Sequence, residues 1–134
     1  HPGLNFSFSG LKTAVATLVQ NKTLNAQTIA DIAASFEQAA VDVLAIKCQW
    51  ALEQTGARQL VVAGGVSANE RLRARLNEMA LRLDVRVYFP RPEFSTDNGA
   101  MIAYVGWLRL RAGECAQLTF GARPRWALQE LPLP

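Results

Sequence analysis

Two glycines stand where an apolar run becomes a charged one, in the stretch VVAGGVSANERL. Gly64 and Gly65 have no Cβ, so their backbone can adopt positive φ and approach a ligand closely. A helix that begins just after them presents unpaired N–H groups and the positive end of its dipole, which favour phosphate. We therefore predict that Gly64 and Gly65 form the base of a nucleotide-binding site, with Ser67 and Asn69 as hydrogen-bonding groups at its edge. A tight strand-to-helix turn is the alternative, because the stretch is neither a P-loop nor a GxGxxG motif.

Asp97 lies next to Asn98 in the stretch FSTDNGA, just before a predicted helix. A carboxylate at this place can hold a divalent cation that also contacts phosphate oxygens, or it can cap the helix. The chain has a single histidine, His1, so it contains no internal Ser-His-Asp, Cys-His or HExxH arrangement. A hydrolase contained entirely within this chain is therefore not expected.

Further charged residues each have two interpretations. Lys12 follows a predicted flexible turn at Ser9 and Gly10; it either reaches an anion or is a solvated helix lysine. Glu37 either lines the site or faces solvent. Eleven of the 14 basic residues are arginine, and most of them cluster at 71–91 and 109–125. These clusters predict either a phosphate-facing surface for nucleic acid or a set of solvated helix faces.

The length of 134 residues predicts a single compact domain, and a sequence that is half hydrophobic has enough apolar side chains for one sizeable core. Cys48 and Cys115 form no CxxC pair, so they signal neither a zinc site nor a disulfide framework and fit a reducing, cytoplasmic compartment. No apolar run approaches the roughly 18 residues of a membrane span. Since the first residue is His1, we expect the chain to be a piece of a longer protein.

The spacing of the hydrophobic residues, together with the residues that start and stop helices, predicts four helices and two strands. The helices are expected at about 9–21, 26–55, 67–83 and 95–111, and the strands at 59–63 and 85–89. In the second helix the predicted apolar stripe runs from Ile29 through Phe36 to Trp50. Ser67 and Glu70 have the spacing of a capping box for the third helix.

The alternation of helices and strands predicts α/β layering, with a right-handed crossover between parallel strands that are buried on both faces. Ligands bind at the carboxyl ends of such strands, so we expect the GGVSAN and PRPEFSTDNGA loops to form one site. Two strands are few for a buried parallel sheet, which again indicates that more of the fold lies upstream.

Three segments in order, FSFSGLKTAV (6–15), VVAGGVSANERLR (61–73) and FPRPEFSTDNGAMIAY (89–104), closely resemble the C-terminal part of the bacterial TsaD family. The family, also labelled YgjD or Gcp, was long described as O-sialoglycoprotein endopeptidases of the M22 peptidase type. Its members are now described as tRNA N6-adenosine threonylcarbamoyltransferases. The resemblance covers nearly the whole chain and implies an actin-like, two-lobed ATPase fold with a ribonuclease-H-like core in each lobe. Residues 1–134 are then part of the C-terminal lobe, without the N-terminal one.

The resemblance also implies a reaction and a set of roles. The family moves a threonylcarbamoyl group from threonylcarbamoyl-adenylate to N6 of the adenosine beside the anticodon in tRNA. Gly64, Gly65 and Asn69 match the loop that contacts the adenylate, whereas Ser9 and Lys12 match a motif near the cleft. Asp97 matches the aspartate that binds iron or zinc together with two histidines of an HxxxH motif, which this chain lacks.

The implied partners are tRNA and the proteins TsaB and TsaE, and the chain alone is expected to be inactive and to self-associate through exposed apolar surface. Two alternatives remain open. One is a metalloendopeptidase, as the older family label says, which requires a metal-bound water and a general base. The other is a non-catalytic module whose partner binding depends on nucleotide, as in other actin-like folds.

Overall fold

The computed structural model describes residues 3–20 and 22–130, and the chain divides between Ser95 and Thr96 into two compact units. The first unit holds three helices and two strands, and the second unit holds one helix and the C-terminal segment. The elements are α1 (Phe8–Val19), α2 (Ala26–Thr55), β1 (Gln59–Val61), α3 (Glu70–Leu83), β2 (Arg86–Tyr88) and α4 (Gly99–Arg111). Short 3₁₀ turns occur at Gly65–Ala68, Pro92–Phe94 and Leu128–Glu130.

The two strands pair in parallel, with Leu60 opposite Val87, and α3 is the crossover between them. The predicted α/β class, rich in helix with a short parallel sheet, is confirmed. Both strands are shorter than predicted, and Gly64 turns the chain away soon after β1. The predicted burial on both faces is wrong: Leu60 and Val87 pack on the core, whereas Val61 is 73% exposed. Among the described residues, helices cover only one face of the sheet.

The core of the first unit lies between α2 and α3. Its buried side chains are Val41, Ala45 and Leu52 from α2 and Leu72, Leu76 and Met79 from α3. The predicted stripe of α2 is only partly right, since Ile46 and Trp50 are exposed whereas Ile32 and Phe36 line a groove against α1. A helix of 30 residues meets α1 along its first part and α3 along its second, so its buried face changes along its length.

Local capping explains where the helices begin and end. Asn25 accepts a hydrogen bond from the Thr28 N–H at 2.8 Å, and Gly56 ends α2 with a φ of 66°, so the predicted bounds of α2 are confirmed. At α1 the predicted flexible turn is wrong, because Ser7 accepts from the Gly10 N–H and the helix already begins at Phe8. Asn21, the predicted end of α1, lies outside the described residues.

The second unit is built on α4. Asn98 caps it by accepting a hydrogen bond from the Met101 N–H at 3.0 Å, and Tyr104 stacks on Trp107 along one side. Over residues 114–130 the chain is irregular, as predicted, except for the turn at Leu128–Glu130. No helix in the described part of the chain has the length and apolar character that crossing a bilayer requires.

Candidate functional site

The turn after β1 has a conformation that requires glycine. Gly64 adopts φ 87° and ψ 170°, a region that side chains with a Cβ avoid. Gly65 then opens the 3₁₀ turn Gly65–Ala68, which leads directly into α3. The predicted positive φ therefore occurs at the first glycine. Because glycine has no side chain, the backbone is accessible at this point just after β1.

Ser67 does not cap α3, so the predicted capping box is wrong. Its side chain is 1% exposed, and its Oγ has no hydrogen-bond partner in the described structure. Because the 3₁₀ turn takes up residues 65–68, α3 begins at Glu70, and Asn69 is the N-cap. Glu70 is then the first residue of the helix rather than the third, where the capping box needs its carboxylate.

Asn69 uses both ends of its amide. Its Oδ1 accepts a hydrogen bond from the Leu72 N–H at 2.8 Å, and its Nδ2 donates to Glu37 Oε1 at 2.8 Å. Glu37 also lies 3.5 Å from the Arg71 guanidinium, so it belongs to the edge of this site rather than to a purely solvated face. An amide has two N–H groups and two lone pairs, which leaves Asn69 one donor and one acceptor position for a ligand.

Arg73 is a residue that the sequence analysis missed as part of the site. Its Nε donates to the Ser67 carbonyl at 2.5 Å and its Nη2 to the Pro90 carbonyl at 2.9 Å, so it connects the loops after β1 and β2. Its guanidinium also lies over the Phe89 ring at 4.9 Å. The available signal was its position four residues after Asn69, because long side chains on a helix point back toward the N-terminus.

A cavity of about 240 Å³ lies beside the glycine turn. Phe6 and Phe8, packed edge to face at 5.2 Å, line it together with Gly64, Gly65 and Ser67. Cys48 lines it as well, and burial raises the pKa of its thiol. The walls are mainly apolar and the Ser67 Oγ is unpaired, so the cavity suits an apolar group that makes one hydrogen bond.

Asp97 belongs to the second unit and is exposed. Its alternative interpretation as a helix cap is wrong, because Asn98 is the N-cap of α4. The described residues contain no group of three His, Cys, Asp or Glu side chains that could hold a metal ion. A single carboxylate does not make a metal site, since zinc takes four ligands, and calcium and magnesium take six or more. Asp97 therefore fits a metal only as one member of a larger ligand set.

A family model described as TsaD: tRNA N6-adenosine threonylcarbamoyltransferase matches residues 1–104 of the 134. The chain belongs to this family. The match spans the glycine turn, Arg73 and Asp97, and it confirms the resemblance seen in the three sequence segments. Membership of the TsaD family places the chain, in general terms, among transferases of tRNA modification.

Ser9 and Lys12, the other predicted site residues of this TsaD-family chain, lie in the first turns of α1. The Ser9 carbonyl accepts a hydrogen bond from the Thr13 hydroxyl at 3.0 Å. Lys12 lines an apolar groove of about 470 Å³ between α1 and α2. Neither residue lines the cavity at the glycine turn. Their assignment to the nucleotide site stays a prediction.

The arginines of the TsaD-family chain differ in what they contact. Arg71 pairs with Glu37 at 3.5 Å, and Arg75 approaches Asp42 at 3.9 Å, so both remain at the surface of the helix pair. Arg73 is instead turned inward by its two backbone acceptors. The phosphate-facing surface stays a prediction, and of these three arginines Arg73 is the one whose guanidinium binds backbone carbonyls.

Proposed function

We propose that this chain forms the adenylate-binding wall of an enzyme that moves a threonylcarbamoyl group from threonylcarbamoyl-adenylate to N6 of the adenosine beside the anticodon in tRNA. The observation that carries the proposal is the turn at Gly64, whose φ of 87° brings bare backbone to the edge of the sheet just before a helix begins. The first N–H groups of a helix have no partner within it and favour a phosphate. Family membership supports the tRNA adenosine as acceptor.

The residues of the chain act by binding and orientation. Gly64 and Gly65 let the adenylate phosphate approach the backbone, and the remaining donor and acceptor of Asn69 fix its register. Holding the activated group close to the tRNA amine lowers the entropic cost of bringing the two reactants together. Asp97 would contribute one ligand to an iron or zinc ion, which supplies Lewis-acid chemistry when it is bound.

The chain alone is proposed to bind the adenylate without transferring its acyl group. Its sequence has one histidine, His1, so the two-histidine ligand motif that the family resemblance implies is not within this chain. We propose TsaB and TsaE as protein partners of the active enzyme, with tRNA as the acceptor. The exposed arginines of α3 are candidates for the phosphate contacts.

The test is threonylcarbamoyl transfer to tRNA by the enzyme that contains this chain, assayed with TsaB and TsaE. Asn69→Ala removes the cap of α3, the hydrogen bond to Glu37 and the proposed ligand contact, whereas the control Asn25→Ala removes only the cap of α2. We expect Asn69→Ala to lower transfer about tenfold or more, from the loss of a hydrogen bond to a charged ligand, while Asn25→Ala leaves it unchanged.

Equal losses in the two variants would show that only helix stability matters and would contradict the role of Asn69. Asp97→Asn keeps the size of the side chain but weakens a metal ligand, so we expect lower metal content in the assembled enzyme. Cleavage of a glycosylated substrate without tRNA modification would instead favour the metalloendopeptidase. Nucleotide-dependent partner binding without turnover would favour the non-catalytic module.

A further inference from the structure

The side chain of Arg73 joins two loops that the sheet itself does not hold together. Its Nε donates to a carbonyl six residues earlier, that of Ser67, and its Nη2 donates to a carbonyl 17 residues later, that of Pro90. A guanidinium presents its donors in a rigid plane, so two acceptors bound to different nitrogens are fixed relative to each other. The turn after β1 and the loop after β2 are therefore held by one side chain.

The contacts of Arg73 continue to the end of the first unit. Its Nη2 lies 3.4 Å from the Ser95 Oγ, and the Ser95 side chain is buried. The ring of Phe89 covers the guanidinium from one side. Ser95 is the last residue of the first unit and precedes Asp97 by two residues in the sequence.

Other bonds between these loops are few. The ladder of the parallel strands ends with the Val62 N–H donating to the Tyr88 carbonyl at 2.9 Å. Beyond that bond, no hydrogen bond among the described residues joins segments 63–69 and 89–95 directly, whereas the Arg73 side chain bonds to both. Removing the guanidinium would leave the Ser67 and Pro90 carbonyls without this partner and the two loops without a link.

We infer that Arg73 is a positioning residue that couples the glycine turn to the loop after β2, so that a ligand on the turn also orders the segment ending at Ser95. The inference rests on the proposed adenylate site for the identity of that ligand. Arg73 does not itself contact the adenylate or the tRNA. Its function is to keep Gly64–Asn69 in the binding conformation and to transmit occupancy of the turn to the second loop.

Hydrogen exchange of the chain tests the coupling without any ligand. Four amides report on it, two per loop: Ser67 bonds to Gly64, Asn69 to Val66, Phe94 to Arg91 and Ser95 to Pro92. In Arg73→Met we expect exchange to rise about tenfold or more in both loops together, because bonds from a charged donor are lost, with α2 unchanged. Arg73→Lys keeps the charge but lacks the planar guanidinium with its several donors, so the exchange rate should rise by an intermediate amount in both loops.

The matched control is Arg75→Met, which removes an arginine from the same helix but only its surface pairs with Asp42 and Glu78. Neither loop should change in this variant. A rise in one loop only, or no rise in Arg73→Met, would overturn the coupling. A uniform rise that includes α2 in both Arg73 variants would mean that Arg73 serves general stability and would overturn it as well.

The second measurement adds AMP as a probe of the adenylate site. In the native chain we expect AMP to slow exchange at both Ser67 and Ser95, whereas in Arg73→Lys it should slow exchange at Ser67 only. Protection of both loops in the variant would overturn the transmission. If AMP protects neither loop of the native chain, the proposed adenylate site fails, but the exchange result without ligand still decides whether Arg73 links the loops.

Discussion

Gly64 is the single residue whose backbone conformation most restricts substitution. Its φ of 87° and ψ of 170° lie in a region that only glycine visits freely, and the space around it is open. In Gly64→Ala the cost therefore comes from the backbone, about 1–3 kcal/mol of unfolding free energy, and the turn should move away from its binding conformation. Urea unfolding and AMP titration of the same samples measure the two effects.

Gly106→Ala is the matched control for this substitution. Gly106 lies inside α4, also with open space around it, and there alanine should raise the unfolding free energy by about 0.5–1 kcal/mol. The same chemical change is thus expected to act in opposite directions at two positions. A stabilising effect at Gly64 would contradict the described turn.

Cys48 and Cys115 should differ in reactivity. Burial raises the pKa of the Cys48 thiol, whereas Cys115 is exposed, and alkylating reagents attack the thiolate. With iodoacetamide near pH 8 we expect Cys115 to react first and Cys48 severalfold more slowly. Because burial raises the pKa of Cys48, its rate should continue to increase at a pH above the usual range of a thiol, which mass spectrometry of its peptide can follow. Equal rates would contradict the burial of Cys48.

Local sequence predicted the conformation of part of the candidate site, whereas the rest depends on contacts between residues far apart in the sequence. The glycine turn follows from two residue types in one stretch, so it was found. Ser67 was misassigned because a serine three residues before a glutamate fits a capping box as well as a 3₁₀ turn. Arg73 and Phe6 were missed because their roles depend on contacts with Pro90 and the glycine turn, which no periodicity reveals.

Among the elements, α2 shows which features a sequence specifies. Its ends were predicted correctly because Asn25 and Gly56 act on their own neighbours. Its buried face was predicted only in part, because that face depends on which helices pack against it. The strands show the same division: their order and direction were predicted, but their faces depend on what covers the sheet.

The contact between α2 and α3 should dominate the stability of the first unit. Leu76 is 1% exposed at its centre, so Leu76→Ala should lower the unfolding free energy by about 2–5 kcal/mol through lost burial and a new cavity. Leu81 lies on the same helix with 85% exposure, and Leu81→Ala should change it by less than about 0.5 kcal/mol. Urea titration checks both variants, and similar losses would contradict the described orientation of α3.

For the molecule as a whole, exposed apolar side chains predict self-association. Leu118 is 99% exposed and Phe120 83% exposed in the second unit, and Val61 is exposed in the first. Large exposed apolar patches drive association. Light scattering should therefore give a mass that rises with concentration above 14.7 kDa, and replacing Leu118 and Phe120 by serine should lower it. A constant monomer mass at all concentrations would contradict the prediction.

The connection made by Arg73 also orders events during synthesis of the chain. Its contacts reach six residues back but 17 and 22 residues ahead. A ribosome therefore releases β1, the glycine turn and Arg73 before Pro90 and Ser95 are available, and closing that later loop carries an entropic cost. During this interval the glycine turn is complete, but Arg73 has not yet formed its hydrogen bonds to the second loop. A pause in translation just before Pro90 would lengthen the period in which Arg73 does not yet connect the glycine turn to the second loop.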